Sequence, residues 1–192
     1  MTRNPRPSDS DIAGVHLLQN LATGRSTPQG AQTRNGPVAA SEVTFRGAIP
    51  EDLPTLVGLL ANDPLGSLRE DPHQQDLASY RQALAAIDAD PNHHVLVAVS
   101  SGSVVGMLQL SFLPHLTYWG GWRAQIESVR VDAMYRSQGI GRQLMVWTLD
   151  RAKARGCHLA QLTTHKSRAD AHRFYERLGF EKSHVGMKLS LE

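Results

Sequence analysis

The residues of this 192-residue chain whose types and spacing point to shared chemistry lie past its middle. The run Ile126-Glu127-Ser128-Val129-Arg130-Val131-Asp132 reads as a strand, and Tyr135-Arg136-Ser137-Gln138-Gly139-Ile140-Gly141-Arg142 follows it. A strand that turns through two glycines into an amphipathic helix can cradle an anion. Glycine lets the backbone come close, and the first helical turn offers N–H groups with no partner inside the helix. The chemistry served is phosphate or pyrophosphate binding, although a tight strand-to-helix turn without a ligand has the same Gly-x-Gly. Two familiar phosphate loops are excluded. No Gly-Lys-Ser/Thr follows, as a P-loop requires. A dinucleotide fingerprint wants Gly or Ala where Leu144 stands, and the roughly 50 remaining residues are too few to complete a doubly wound domain.

The elements that must hold this turn follow from periodicity. Val43 to Phe45 is a first strand, and Glu51 and Asp52 open a helix that buries Leu53, Leu56, Val57 and Leu60. A second helix is expected over 74–89, with Leu77, Tyr80, Leu84 and Ile87 on one face and Asp90-Pro91 as its stop. Residues 95–99 and 104–112 flank Ser101-Gly102-Ser103 as a hairpin, and 126–132 is the next strand. From about Gly139 to Arg155 runs a helix with Gly141, Leu144, Met145, Thr148, Leu149 and Ala152 inward, ended by Gly156. Residues 159–164 form a strand, and Ser167 opens a capping-box-like helix carrying Ala171, Phe174, Tyr175 and Leu178 on one face. Gly179 ends that helix, and 180–191 is strand-like. The order predicts a mixed α/β fold without internal repeats.

Composition narrows the class further. The chain is 41% hydrophobic and 20% charged, close to the globular average. No apolar run nears the roughly 20 residues of a membrane span, so no membrane partner is expected. Residues 1–41 carry four arginines against two aspartates and no aromatic residue. They are expected to be a disordered tail, with the folded domain over 42–192, whose formal charge is zero. A neutral domain lacks a nucleic-acid footprint. Cys157 is the lone cysteine, which fits a reducing, cytoplasmic location and carries no catalytic role. The nine histidines lack ligand spacing, so no metal is expected.

Arg136-x-x-Gly139-x-Gly141 after a Val-x-Val strand resembles the acetyl-CoA signature of the GNAT superfamily of N-acetyltransferases. A second block, Ala171-His172-Arg173-Phe174-Tyr175-Glu176-Arg177-Leu178-Gly179-Phe180, is similar to that superfamily's penultimate helix and following turn. The resemblance covers about 43–192 and implies a mostly antiparallel central sheet flanked by helices, with acetyl-CoA as acetyl donor. It implies that the backbone of Val129, Arg130 and Val131 pairs with the pantetheine arm. Backbone N–H groups of Ser137, Gln138, Gly139, Ile140, Gly141 and Arg142 would hold the pyrophosphate, with the Arg136 and Arg142 side chains nearby. Tyr175 would protonate the departing thiolate. Arg168 stands where many members place an Asn that touches the cofactor, and its cation suits a CoA phosphate instead.

The acceptor chemistry asks for one more group. An alkyl amine with a pKa of about 10.4 needs roughly 4–5 kcal/mol to lose its proton at pH 7. Glu127 is the best base, acting through water or with a raised pKa; otherwise it is a carboxylate paired with Arg130 or Arg123, or one exposed on the sheet. Tyr175 has an alternative as a core aromatic beside Phe174. Tyr118, Trp119 and Trp122 are either core or acceptor-pocket residues, and acceptor choice is expected in 62–71 and 114–122. The function expected is acetyl transfer to a primary amine, a small molecule favoured over a protein N-terminus or lysine, by direct attack in a ternary complex. The rival is a non-catalytic acyl-CoA-binding or regulatory module, and a homodimer is left open.

Overall fold

In the computed structural model, the described residues are 42–62, 66–67, 70 and 76–191. The chain divides into two units, 1–37 and 38–192. The expected tail over 1–41 lies outside the described residues, as do most of residues 63–75, with much of the expected acceptor segment 62–71 and the start of the expected second helix.

Five strands form one sheet in sequence order, β1 (Val43–Gly47), β2 (His93–Ser100), β3 (Ser103–Pro114), β4 (Trp122–Val131) and β5 (Cys157–Leu162). The first four pair antiparallel, and β4 pairs parallel with β5. The tight β2–β3 turn needs two left-handed residues, and Ser101 and Gly102 supply φ of 49° and 78°. Parallel neighbours need a long crossover, which the helix α4 (Ile140–Ala154) provides between β4 and β5.

Apolar residues alternate along the strands, so each face of the sheet has its own core. One face, with Leu96, Leu108, Leu110, Ala124 and Ile126, packs on Ile140, Leu144 and Met145 of α4. The other, with Val95, Val97 and Met107, is covered by α1 (Leu53–Ala61) and α2 (Ala78–Asp88). A 3₁₀ turn, Pro50–Asp52, leads into α1. There Asp52 is buried, takes two hydrogen bonds from the Arg46 guanidinium at 2.6 and 2.9 Å, and accepts from the Ile49 N–H.

β4 carries an irregularity. Met107 opposes Arg130 and Gln109 opposes Glu127, so β4 spends three steps where β3 spends two. The extra residue is a β-bulge in which Ser128 takes φ 53°. Before it Ala124 and Ile126 face the α4 core, and after it Val129 and Val131 do.

Several expectations are corrected. Leu59 is buried while Leu60 is half-buried, because the buried stripe of α1 is wider than one helical face. The helix expected from Ser167 is α5 (Ala169–Glu176), with Arg168 at its N-cap and no side-chain capping bond. Ser167 directs its hydroxyl to His165 Nδ1 at 2.7 Å instead. The expected strand over 180–191 does not form: these residues have no regular structure, and 181–191 are exposed. Between Pro114, where β3 ends, and Trp122, where β4 starts, lies a kinked turn, α3 (Thr117–Gly120), in which Tyr118 and Trp119 take φ of 51° and 56°.

Candidate active site

The site is built where β4 and β5 part. β5 pairs with β4 from Trp122 to Ile126 and stops at Leu162 opposite Ile126. β4 continues five residues to Val131, paired with β3 along its other edge. The backbone of Val129, Arg130 and Val131 therefore borders an opening in the sheet. This suits an extended amide-bearing chain that docks like a strand.

At the end of β4 the chain is folded tightly before α4 begins. Asp132 accepts from the Met134 N–H at 2.8 Å and caps the 3₁₀ turn Ala133–Tyr135. Arg136 donates Nε to the Val131 carbonyl at 3.2 Å and Nη2 to the Asn62 carbonyl at 3.4 Å, and Gln138 Nε2 bonds the Met134 carbonyl at 2.9 Å. Ser137 and Gly139 both take positive φ, 62° and 80°, which curls the backbone. Gly139 is the N-cap of α4 and has no side-chain capping bond, and the first helical bond runs from the Gln143 N–H to the Gly139 carbonyl. The N–H groups of Ile140, Gly141 and Arg142 thus lie in the turn whose donors the helix leaves over, at its positive end.

The two glycines do different work. At Gly139 the left-handed φ excludes most side chains. A Cβ on Gly141 would come 3.4 Å from Val131 Cγ2 and 3.6 Å from Phe174 Cζ, so its bareness lets α4 approach β4 and α5. Neither a bulky ligand loop nor a capping side chain fills the turn, and the residues present fit a pyrophosphate.

Tyr175 stands on α5, half-buried, with edge contacts to Phe174 at 5.2 Å and Phe180 at 5.9 Å. It packs against the α4-side core. Burial pushes its phenol above the ordinary value, and Arg130 and Arg168 pull it partly back. Arg168 is half-buried at the start of α5, so its charge bears on Tyr175. Glu127 is exposed, one residue past the last β4–β5 pair. Its neighbour Ile126 faces the α4 core, so alternation turns Glu127 to the α1–α2 face. Acid and base candidates thus flank the opening from opposite faces of the sheet, while Arg136, Ser137, Gln138 and Arg142 are exposed along the turn.

Sequence reasoning missed two features. A cavity of about 480 Å³, lined by Thr55, Gly58, Leu59, Ala61, Asn62 and Asp132, adjoins the Arg136–Asn62 contact. The Ser128 bulge was also missed, because serine carries no signal for positive φ.

Residues 114–122 sit away from this turn. Tyr118 stacks on His158 at 4.4 Å and Arg155 lies over the Trp122 ring at 4.5 Å, both at the C-terminal end of α4. The 15 residues of α4 separate them from the turn by roughly 22 Å. Trp119 is fully exposed, so it is not a core residue. Burial pushes the Cys157 thiol up, away from nucleophilic chemistry. His93 bonds Ser111 at 2.8 Å and His172 lies 3.1 Å from the His165 carbonyl. Among the described residues no group of three or more His, Cys, Asp or Glu is arranged to hold a metal ion, and no helix is long and apolar enough to cross a membrane.

Residues 60–180 match the model of the Acetyltransferase (GNAT) family. The chain belongs to this family. It is 38% identical over 112 residues to the aminoalkylphosphonate N-acetyltransferase of Salmonella typhimurium, covering 58% of this chain and 72% of that one. Glucosamine 6-phosphate N-acetyltransferase of Trypanosoma brucei brucei is 32% identical over 91 residues, covering 47% of this chain and 60% of that one. A solved structure of a transcriptional regulator from Bacillus halodurans C-125 is 50% identical with a TM-score of 0.75, covering 78% of this chain and all of that one. As a GNAT protein the chain is an N-acetyltransferase, and enzymes of this family take their acetyl group from acetyl-CoA.

Proposed function

We propose that this enzyme transfers the acetyl group of acetyl-CoA directly to the primary amine of a small molecule that carries a phosphonate or phosphate group. The observation that carries the reading is the β4–β5 opening, with the two-glycine turn at one end and Glu127 and Tyr175 on its two faces. Acetyl-CoA brings an acetyl thioester already activated for attack. The backbone of Val129 to Val131 holds its arm, and the N–H groups of Ser137 to Arg142 hold its pyrophosphate, with Arg136, Arg142 and Arg168 as cations toward phosphates. Glu127, exposed to water, takes the amine proton through a water molecule. Tyr175, kept protonated by burial, donates its hydroxyl proton to the departing sulfur.

The acceptor class rests on the two curated relatives, named for acetylating an aminoalkylphosphonate and glucosamine 6-phosphate. Both substrates pair an amine with a phosphoryl-type anion. In this chain Arg130 and Arg168 lie near enough to Tyr175 to act on its hydroxyl. The test is thiol release from acetyl-CoA with matched acceptor pairs: 2-aminoethylphosphonate against ethylamine, and glucosamine 6-phosphate against glucosamine. A phosphoryl-bearing member of either pair should have the higher kcat/KM. Equal rates within both pairs would overturn the anionic acceptor, and a rate only on peptides would move the acceptor to a protein N-terminus or lysine.

A second reading, a CoA-responsive regulatory module, is favoured by the name of the 50%-identical Bacillus structure. The zero formal charge of 42–192 weighs against direct contact with nucleic acid. Tight acetyl-CoA binding without thiol release on any amine would select this second reading. We place the reaction in the cytoplasm, a choice supported by the single cysteine.

A further inference from the structure

The α1–α2 face of the sheet is apolar on one half and polar on the other. Its core takes Val95 and Val97 from β2 and Met107 from β3, and no residue from β4 or β5. Over those two strands the same face carries Arg123, Gln125 and Glu127, with Gln161 of β5 opposite Gln125. Three of these side chains are tied in a row. Gln161 donates Nε2 to Gln125 Oε1 at 2.8 Å, and Arg123 donates Nη1 to Gln161 Oε1 at 3.3 Å. The row stops two residues short of Glu127 and the opening beside it.

Arg123 has hydrogen-bonding capacity left over. Its Nε is buried and has no partner among the described residues, and none of their carboxylates pairs with the guanidinium. A second such group stands beside it. His115 extends the β3 ladder with a 2.9 Å bond from its N–H to the Gly121 carbonyl, and its buried Nε2 likewise has no partner among the described residues. Burial, then the charges of Arg123 and His158, holds this imidazole below its ordinary value, so it adds a neutral ring and not another cation. A buried N–H without an acceptor is costly. A guanidinium also presents a planar fork of donors that matches a phosphoryl group.

We propose that Arg123 receives the phosphoryl group of the acceptor, while the acceptor's amine lies at Glu127; this rests on the anionic-acceptor reading above. Gln161 is then a positioning residue, holding the guanidinium toward the opening. Strand spacing sets the size of the molecule. Along β4, Gln125 lies about 7 Å and Arg123 about 13 Å from Glu127. The guanidinium leans from Arg123 toward the Gln125–Gln161 pair, so the anion it meets stands a sugar-sized frame away from the amine. Glucosamine 6-phosphate holds its amine and its phosphoryl group on opposite sides of a ring, whereas the two methylenes of 2-aminoethylphosphonate keep them closer.

The test measures kcat/KM for glucosamine 6-phosphate and for glucosamine in the full-length parent, in Arg123→Gln and in Gln161→Glu. The second variant keeps the arginine and puts a carboxylate where Oε1 now accepts from it, neutralising the guanidinium in place. The parent should prefer the phosphorylated member, by more than it prefers 2-aminoethylphosphonate over ethylamine. In each variant the preference should fall about 10–100-fold, as loss of a charged hydrogen bond implies. The fall should come through KM, because an anion remote from the reacting carbon is held alike in ground and transition states. Thermal unfolding identifies the folded variants, and Gln161→Glu decides if Arg123→Gln does not fold. Full preference in either folded variant, or a loss confined to kcat, would overturn the role of Arg123 and leave the anionic acceptor standing. No preference in the parent would overturn both. A larger preference within the 2-aminoethylphosphonate pair would overturn the placement of the anion at Arg123.

Discussion

Ile126 and Leu162 face each other across the last pair that joins β4 to β5, and Glu127 is the next residue along β4. The position of that pair fixes where the sheet opens and which residues border the opening. Its consequence for catalysis is direct: a group entering there meets the α1–α2 face on one side and the α4–α5 face on the other.

Tyr175→Phe should lower kcat by about 10²–10⁴-fold, the usual worth of a general acid, with little change in acetyl-CoA affinity. The ring keeps its contacts with Phe174 and Phe180, so only the proton is lost. Because burial raises the phenol's pKa, its donor form persists above the ordinary value of 10, and no fall in kcat from this group is expected below that pH. Turnover against pH with saturating acetyl-CoA checks both statements, and a variant as fast as the parent would leave Tyr175 as a packing residue.

Glu127→Gln should act on the other proton. Turnover at neutral pH should fall and then recover as the pH nears the pKa of the amine, where deprotonation no longer needs help. Since Glu127 is exposed and makes no ion pair with a described residue, the variant should unfold at the parent's temperature. An unaltered rate profile would assign the proton to another group.

At the turn, Gly139→Val and Gly141→Ala should part company. Valine at φ 80° is strained by about 1–2 kcal/mol and pushes the turn toward another conformation, so acetyl-CoA binding should be lost. Alanine at 141 meets its neighbours at 3.4 Å or more and should bind nearly as the parent does. Calorimetry on folded protein measures both, and parental affinity for Gly139→Val would remove the turn from the cofactor site.

The buried Asp52 supplies a pH test of stability. The Arg46 guanidinium, then the Ile49 N–H, hold its carboxyl below the ordinary value of 3.8. A lowered folded pKa means the stabilisation is full above the ordinary value and is lost as pH falls through the folded one. Asp52→Asn should cost about 1–3 kcal/mol at neutral pH and flatten this acid dependence. Denaturant midpoints between pH 7 and pH 3 decide it.

Trp119→Ala should leave the constants for acetyl-CoA and acceptor unaltered, because the side chain is fully exposed at the end of α4 remote from the turn. A large rise in acceptor KM alone would bring that loop back to the site.

Where a residue type dictates geometry, the sequence was legible. Gly102, Gly139, Gly156 and Gly179 all take the positive φ that made them turn markers, and the inward face of α4 holds Leu144, Met145, Thr148 and Ala152 as its period requires. What escaped were features decided by distant partners. Serine at 128 looks like any strand residue, and its positive φ exists because β3 is one residue shorter there. Ser167 looked like a cap until His165 claimed its hydroxyl. Residues 180–191 carry a sound strand pattern, yet a strand needs a neighbour, and period alone does not supply one.

The bulge at Ser128 makes β4 a strand with two parities. Up to Ile126 the even-numbered residues lie against α4, and from Val129 onward the odd-numbered ones do. Were the bulge to flatten with no residue lost, plain alternation would turn Ser128 and Arg130 inward and Val129 and Val131 outward. The extra residue, held at positive φ, therefore sets the sidedness of everything from Val129 to Val131, the backbone that borders the opening.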